Sequence, residues 1–166
     1  MLNKIVIFVL LCLSAGYAES LVECKSDRDK ISGCVERGYY ESGVVMGETP
    51  FKNGKENGIM KGYYESGALE SETQFKNGEA NGIMKGYYES GALESETPFK
   101  NGEANGIAKA YYESGALESE TPFKNDKMSG IAKGYYESGA LHIKSLFEND
   151  EVKSIVRYDE YGNRIK

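Results

Sequence analysis

The residues best suited to chemistry recur as sets in this chain of 166 residues. Paired glutamates repeat every 24 residues, and aligned copies could bind a cation such as calcium through their carboxylates. The alternative is a solvated row that pairs with lysines and discourages aggregation at sheet edges. A glycosidase is a weaker interpretation, because an active site would occur once. The pairs are Glu70 and Glu72, Glu94 and Glu96, and Glu118 and Glu120.

Tyrosine doublets recur at the same 24-residue step. Exposed tyrosines can stack on sugars or anchor a protein partner. The alternative is that one tyrosine of each doublet packs in the core while the other covers a glycine across the sheet. The candidate interaction surface consists of the second tyrosines, Tyr40, Tyr64, Tyr88, Tyr112 and Tyr136.

Single-copy residues offer little support for catalysis. His142 is the one histidine of the chain, and no Ser-His-Asp or Cys-His arrangement accompanies it. Two thiols and this distant histidine do not form a zinc ligand set. We therefore expect no catalytic residues, no metal and no cofactor, and we predict that the protein is not an enzyme.

The N-terminal residues indicate export. Lys4 precedes an apolar run from Ile5 to Leu13, and Gly16-Tyr17-Ala18 supplies the small residues of a cleavage site. The run is short for a membrane span, which needs about 20 residues, although an uncleaved anchor is the alternative. We predict a signal peptide over 1–18. It is the only part of the chain that we expect to contact a membrane, and only until it is cleaved. The mature chain is expected in the periplasm, on the cell surface or outside the cell.

Cys24 and Cys34 lie in the mature chain, and a close cysteine pair in an exported protein favours a disulfide over two free thiols. The bond would close a loop worth up to roughly 3 kcal/mol in the loop-entropy model. It would staple an N-terminal cap over 19–34. The net charge of −6 argues against nucleic acid or anionic lipid as a partner.

An internal repeat must position all of these residues. The segment 75–98, FKNGEANGIMKGYYESGALESETP, matches its neighbours on both sides almost letter for letter. We divide the array over 35–166 into units whose divergent ends are typical of capping. The units are 35–50, 51–74, 75–98, 99–122, 123–146 and 147–166.

Each unit is predicted to be a β-hairpin. Strands over Ile59–Tyr64 and Ala68–Phe75 flank Glu65-Ser66-Gly67, which suits a three-residue loop with the glycine in the left-handed region. Asn77-Gly78 is a second strong turn signal. Hairpins stacked in sequence predict an all-β fold, an elongated and twisted antiparallel meander in which each unit depends on its neighbours.

Strand alternation assigns the side chains to two faces, and a two-residue loop would exchange them. Pairing of Tyr63 with Leu69 predicts Ile59, Tyr63, Leu69 and Phe75 on one face, and Met60, Gly62, Tyr64, Glu70 and Glu72 on the other. Ala110 replaces the mid-strand glycine once, so that position requires a small residue.

The repeated frame resembles the MORN repeat in its bacterial variant form. The residues that carry the resemblance are Phe75, Asn77, Gly78, Gly82, Tyr87, Tyr88, Gly91 and Leu93, with their counterparts 24 residues away. A similar subgroup is the YwqK-type family, often labelled as an antitoxin component of a toxin system. The resemblance implies a hairpin array used for protein interaction or scaffolding.

Three functions are therefore weighed. The first is a non-enzymatic exported repeat protein that binds another protein or itself. The second is a cell-wall or glycan-binding module that uses the periodic tyrosines. The third is an antitoxin-like or immunity-like component.

Overall fold

The computed structural model describes residues 22–165. The predicted signal peptide over 1–18 lies outside this range, as do the first residues of the predicted cap. The described chain forms one short helix and an open antiparallel sheet of sixteen strands. The elements are α1 Asp27–Ser32, β1 Cys34–Tyr39, β2 Val45–Lys52, β3 Lys55–Glu56, β4 Gly58–Tyr63, β5 Leu69–Lys76, β6 Glu79–Ala80, β7 Gly82–Tyr87, β8 Leu93–Lys100, β9 Glu103–Ala104, β10 Gly106–Tyr111, β11 Leu117–Lys124, β12 Lys127–Met128, β13 Gly130–Tyr135, β14 Leu141–Glu148, β15 Glu151–Tyr158 and β16 Arg164–Ile165.

The strands follow one another across the sheet in chain order, so the predicted meander of hairpins is confirmed. Four of the two-residue strands, β3, β6, β9 and β12, pair with the ends of β2, β5, β8 and β11. Because each unit contributes the same strands, corresponding residues form rows that run across the sheet.

The three-residue hairpin loop forms as predicted. The Tyr64 N–H donates to the Ala68 carbonyl at 2.9 Å, and the Gly67 N–H donates to the Tyr64 carbonyl at 2.8 Å. Gly67 has φ +84°, the left-handed conformation that ends this loop. The strands it joins lie one residue from their predicted bounds, at Gly58–Tyr63 and Leu69–Lys76.

The Asn-Gly turn connects the second strand of a unit to a short strand. Asn77 and Gly78 both have positive φ, 55° and 88°, as a two-residue type I′ turn requires. The register then changes, because Phe75 pairs with Ala80 but Ser71 pairs with Gly86. Successive units therefore share few regular main-chain pairs.

A β-bulge corrects the predicted faces. Gly62 pairs with Ser71 while Tyr63 pairs with Leu69, so one residue of β5 is extra. Glu72 consequently lies opposite Lys61, on the face of Tyr63, and Phe75 shares the other face with Met60. The predicted faces were wrong for Glu72 and Phe75. The prediction assumed a register without a bulge, and one extra residue reverses the face of every side chain that follows it in the strand. We call the two sides the Ile face, with Ile59, and the Met face, with Met60.

The sheet has a single layer and very little core. Among the described residues, the buried apolar side chains are those of Cys34, Val35, Pro50 and Ala104. Thr73 and Ser145, which occupy one position of the repeat, are the buried polar residues of that range. With so little core, each hairpin depends on its neighbours as well as on its own strand pairing for stability.

The N-terminal segment covers the outer edge of β1. Cys24 and Cys34 form the predicted disulfide, with their Cα atoms 5.2 Å apart. The Cys24 N–H donates to the Val35 carbonyl at 2.8 Å, and the Val35 N–H donates to the Val22 carbonyl at 3.0 Å. These bonds occupy main-chain groups that an exposed edge would offer to another strand.

The helix α1 substitutes for a preceding unit at the other end of β2. The Gly54 N–H donates to the Lys30 carbonyl of α1 at 2.9 Å. In the repeated units, the Gly78 N–H donates to the Glu56 carbonyl of the unit before it. The helix thus supplies the carbonyl acceptor that the preceding unit supplies to the Asn-Gly turn elsewhere in the array.

Candidate interaction surfaces of the array

The second tyrosine of each doublet links its unit to the next one. Its hydroxyl donates to the main-chain carbonyl of the first tyrosine in the following unit, and the ring is partly buried. These bonds join Tyr40 to Tyr63 at 2.7 Å, Tyr64 to Tyr87 at 2.7 Å, Tyr88 to Tyr111 at 2.7 Å, Tyr112 to Tyr135 at 2.8 Å, and Tyr136 to Tyr158 at 2.9 Å. The structure therefore gives the five candidate residues a role in holding the array together.

The first tyrosine of each doublet bonds in the opposite direction along the array. Its hydroxyl donates to a glutamate carboxylate of the preceding unit, which lies on the Ile face. The bonds join Tyr63 to Glu48 at 3.1 Å, Tyr87 to Glu72 at 2.9 Å, Tyr111 to Glu96 at 3.1 Å, and Tyr135 to Glu120 at 2.9 Å. These four doublets thus contact both neighbouring units, whereas Tyr39 of the first doublet donates to Glu23 of the N-terminal segment at 3.1 Å.

The same carboxylates pair with cations. Lys133 Nζ lies 3.1 Å from Glu120 Oε2, and Lys85 Nζ lies 3.6 Å from Glu72 Oε1. These pairs favour the interpretation of the glutamates as a row paired with lysines. Residues 22–165 contain no group of three or more histidines, cysteines or acids positioned to bind a metal ion.

The network shifts the pKa values of its members. Hydrogen bonds from Lys133 and Tyr135 hold the pKa of the Glu120 carboxyl below its usual value. Burial and the hydrogen bond to the Glu72 carboxylate raise the pKa of Tyr87 to about 12. Both shifts favour the protonation states in which the hydroxyl donates to a carboxylate.

The repeated units match a known protein family. The MORN repeat variant family matches residues 35–53, 56–77, 80–101, 104–125 and 128–149, more than half of the chain. The chain belongs to this family. Four of the matches begin 24 residues apart, in step with the hairpins. MORN repeats are generally interaction modules for proteins or membranes. No curated protein matches the chain.

His142 occupies the repeat position of Glu70, and its ring packs against Tyr136 with the centroids 4.4 Å apart. Within residues 22–165, no helix has the length and apolar character needed to cross a membrane.

A row of exposed isoleucines on the Ile face was missed by sequence reasoning. The exposed fractions are 48% for Ile59, 50% for Ile83, 52% for Ile107 and 46% for Ile131. We call this row the isoleucine strip. Sequence reasoning placed Ile59 among apolar residues of one face, but a recurring isoleucine in a strand does not reveal whether a second layer covers it.

The isoleucine strip contains a groove between two neighbouring MORN units. An open groove of about 280 Å³ lies between Ile59 and Ile83, and Glu72, Gln74 and Lys85 line its sides. The cross-strand partners of the later isoleucines are apolar, which extends the apolar character of the strip. They are Pro98, Pro122 and Leu146, beside Ile83, Ile107 and Ile131.

Proposed function

We propose that the protein is an exported, non-enzymatic interaction module whose repeat array binds another protein or a second copy of itself. The observation that carries this proposal is the repetition of one surface along a single-layer sheet. Glu72 accepts a hydrogen bond from Tyr87, and Tyr88 donates one to the Tyr111 carbonyl. Both bonds lie within the array and recur along it, so these residues hold the repeated surface in place. A surface of this kind offers the same contacts once per unit.

Equivalent contacts on linked units act together. When one contact holds a partner, the next contact forms at a high effective concentration, so affinity increases with the number of units engaged. The exposed isoleucines at 24-residue intervals provide such contacts, since exposed apolar rows on a folded protein are typical of binding surfaces.

Cross-linking with the oxidised chain over 19–166 as bait tests this proposal. A control variant lacks one complete unit, 75–98, which preserves the frame of the units on either side. We expect the full chain to capture a specific partner and the shorter array to capture it more weakly. Failure to capture any protein, together with monomeric behaviour in light scattering, would reject the proposal.

Export is the second part of the proposal. It is supported by the signal-like pattern over 1–18 and by the Cys24–Cys34 disulfide, since disulfides persist in oxidising compartments. We expect the mature protein in the periplasm or at the cell surface. Mass spectrometry should find an N-terminus at Glu19 and no free thiol, whereas a full-length reduced protein in the cytoplasm would contradict export.

The alternatives can be tested with the same material. A glycan-binding module should sediment with purified cell wall. An antitoxin-like component should neutralise the product of a neighbouring toxin gene when the two are expressed together.

A further inference from the structure

The isoleucine strip lies beside a row of exposed lysines. Lys76 is two residues beyond Gln74, the cross-strand partner of Ile59, so strand alternation places it on the Ile face. The row consists of Lys52, Lys76, Lys100 and Lys124, all exposed. Their cross-strand partners, Lys55, Glu79, Glu103 and Lys127, are two lysines and two glutamates that cancel. The same row continues to Glu148, which is exposed and pairs with Glu151, so the four lysines outnumber these two glutamates and leave this flank with a net charge of +2.

The other flank of the strip has four pairs of a cation with a glutamate and one pair of lysines, Lys133 with Lys144, so its net charge is also +2. There each glutamate that accepts from a tyrosine lies beside a lysine or arginine, as Glu72 lies beside Lys85 and Glu48 beside Arg37. The Ile face is thus apolar along its middle and weakly cationic along both sides, although the whole chain carries a net charge of −6. Charge complementarity requires an acidic partner on this face.

The spacing of the strip also limits the partner. Adjacent strands lie about 4.8 Å apart, and each unit adds two long strands, so successive isoleucines are separated by about 10 Å. An α-helix advances about 10.5 Å in seven residues, with its apolar side chains still on one side. A β-strand of similar length would turn alternate residues away from the strip. A helix with a heptad pattern of apolar residues therefore matches the array, because each heptad spans the length of one unit.

We infer that the isoleucine strip binds an acidic amphipathic α-helix that lies along the array. One apolar residue of each heptad packs between successive isoleucines, and aspartate or glutamate side chains face the lysine row. This inference rests on the proposed interaction function and names the chemistry of the partner.

Two other occupants fit the strip less well. A second copy would bring its own lysine row against this one if the two Ile faces packed together, and like charges would oppose the contact. An anionic bilayer would meet a strip one isoleucine wide with charged side chains on both sides, which leaves little apolar surface to insert.

A designed peptide tests the inference directly. The probe is a helix of about four heptads, with leucine on one stripe and glutamate beside it, and its control is the same composition in scrambled order. Titration calorimetry measures binding to the oxidised chain over 19–166. Circular dichroism measures helix formation by the peptide against the β-sheet background. We expect the patterned peptide to bind and become helical, and the scrambled peptide to do neither.

Variants of the strip test the contact. Ile83→Thr with Ile107→Thr keeps β-branched residues in the strands and should weaken binding roughly tenfold or more through lost apolar contact. Lys76→Glu with Lys100→Glu should weaken it further. The matched control is Met46→Thr, since Met46 is 48% exposed but contacts Gly38 on the Met face. This control should bind as the unaltered chain does.

Each remaining outcome would overturn the inference. Equal binding of both peptides, no binding of either, or affinity unchanged by the strip substitutions would do so. Binding of phosphatidylglycerol vesicles without binding of the peptide would assign the strip to lipid. If the unaltered chain forms a dimer and the Ile83→Thr and Ile107→Thr substitutions together dissociate it, the strip would be assigned to self-association.

The proposed function has a separate readout. A protein partner captured equally by the unaltered chain and by the strip variant would reject the helix-binding inference while leaving the interaction function in place. Capture of no partner by any form of the array would reject the function itself.

Discussion

The hydroxyl group of the second tyrosine is the residue-scale feature on which the array depends. At 2.7 Å, the bond from Tyr88 to the Tyr111 carbonyl crosses from one unit to the next where regular main-chain pairing is sparse. A hydrogen bond of this kind contributes about 1 kcal/mol, and it is repeated at five unit boundaries. Phenylalanine would fill the same space without making this bond.

Tyr88→Phe should therefore lower the free energy of unfolding by about 1 kcal/mol, because the Tyr111 carbonyl loses its partner. Urea denaturation followed by circular dichroism measures the change. The control is Tyr161→Phe, since Tyr161 is 91% exposed and its loss should change stability by less than about 0.5 kcal/mol. Equal stability of both variants would show that the hydroxyl bonds do not couple the units.

Two glycines of one unit should respond differently to alanine. Gly91 has φ +86° in the hairpin loop, so Gly91→Ala should cost about 1 kcal/mol through backbone strain alone. Gly86 lies mid-strand, where an added Cβ would meet the Ser95 hydroxyl at 2.7 Å, yet the equivalent position already holds Ala110. Because a serine side chain can rotate away, Gly86→Ala should change stability by less than about 0.5 kcal/mol. Thermal unfolding of the two variants compares them, and the opposite ranking would contradict the assigned turn.

At the scale of elements, the hairpin is regular within a unit and less regular between units. Strands β4 and β5 pair in register from Gly58 to Gly62, but β5 and β7 share only the pairs of Ser71 with Gly86 and Glu72 with Lys85. An isolated hairpin is marginal in water. End units therefore need local reinforcement, which the disulfide and the segment paired with Val35 supply at β1.

Reduction of the disulfide should open the N-terminal cap without unfolding the array. The loop-entropy model assigns the bond roughly 3 kcal/mol, and in a repeat protein this loss acts first on neighbouring elements. Hydrogen exchange should show reduced amide protection in β1 and unchanged protection in β8. Cys24→Ser with Cys34→Ser should reproduce the effect, and a uniform loss of protection from β1 to β15 would contradict it.

At the scale of the whole molecule, carboxylates and tyrosines form a continuous polar row on the Ile face. Burial raises the pKa of the Glu48 carboxyl, but hydrogen bonds from Arg37 and Tyr63 outweigh burial and leave the pKa lowered. The pKa of Glu120 is lowered as well, through Lys133 and Tyr135. The pKa of Tyr87 is raised, through burial and the Glu72 carboxylate. The row therefore favours folding only between an acid and an alkaline limit.

Stability should fall at both ends of the pH range. A lowered carboxyl pKa stabilises the fold above the unfolded value of 4.5, and this contribution is lost as the pH falls through the folded pKa. A raised tyrosine pKa stabilises the fold below 10, and this contribution is lost as the pH rises toward about 12. Unfolding temperatures measured across this range should form a plateau with two declining limbs. Glu120→Gln should make the acid limb shallower, and an unchanged acid limb would contradict the role of this carboxylate.

Much of the architecture could be predicted from local chemistry. The 24-residue step, the left-handed Gly67 and the Asn77-Gly78 turn each depend on a few neighbouring residues, so the local sequence predicts them. The Cys24–Cys34 bond was predicted on similar grounds, from close spacing and an exported context.

The bulge in β5, the tyrosine bonds between units and the exposed isoleucine strip were decided only in the tertiary structure. Side chains of a strand alternate between its two faces. One extra residue therefore places Glu72 and Phe75 each on the face opposite to the predicted one. The partner of the Tyr88 hydroxyl lies 23 residues away in the sequence. Its position depends on how neighbouring hairpins meet, which no local pattern specifies.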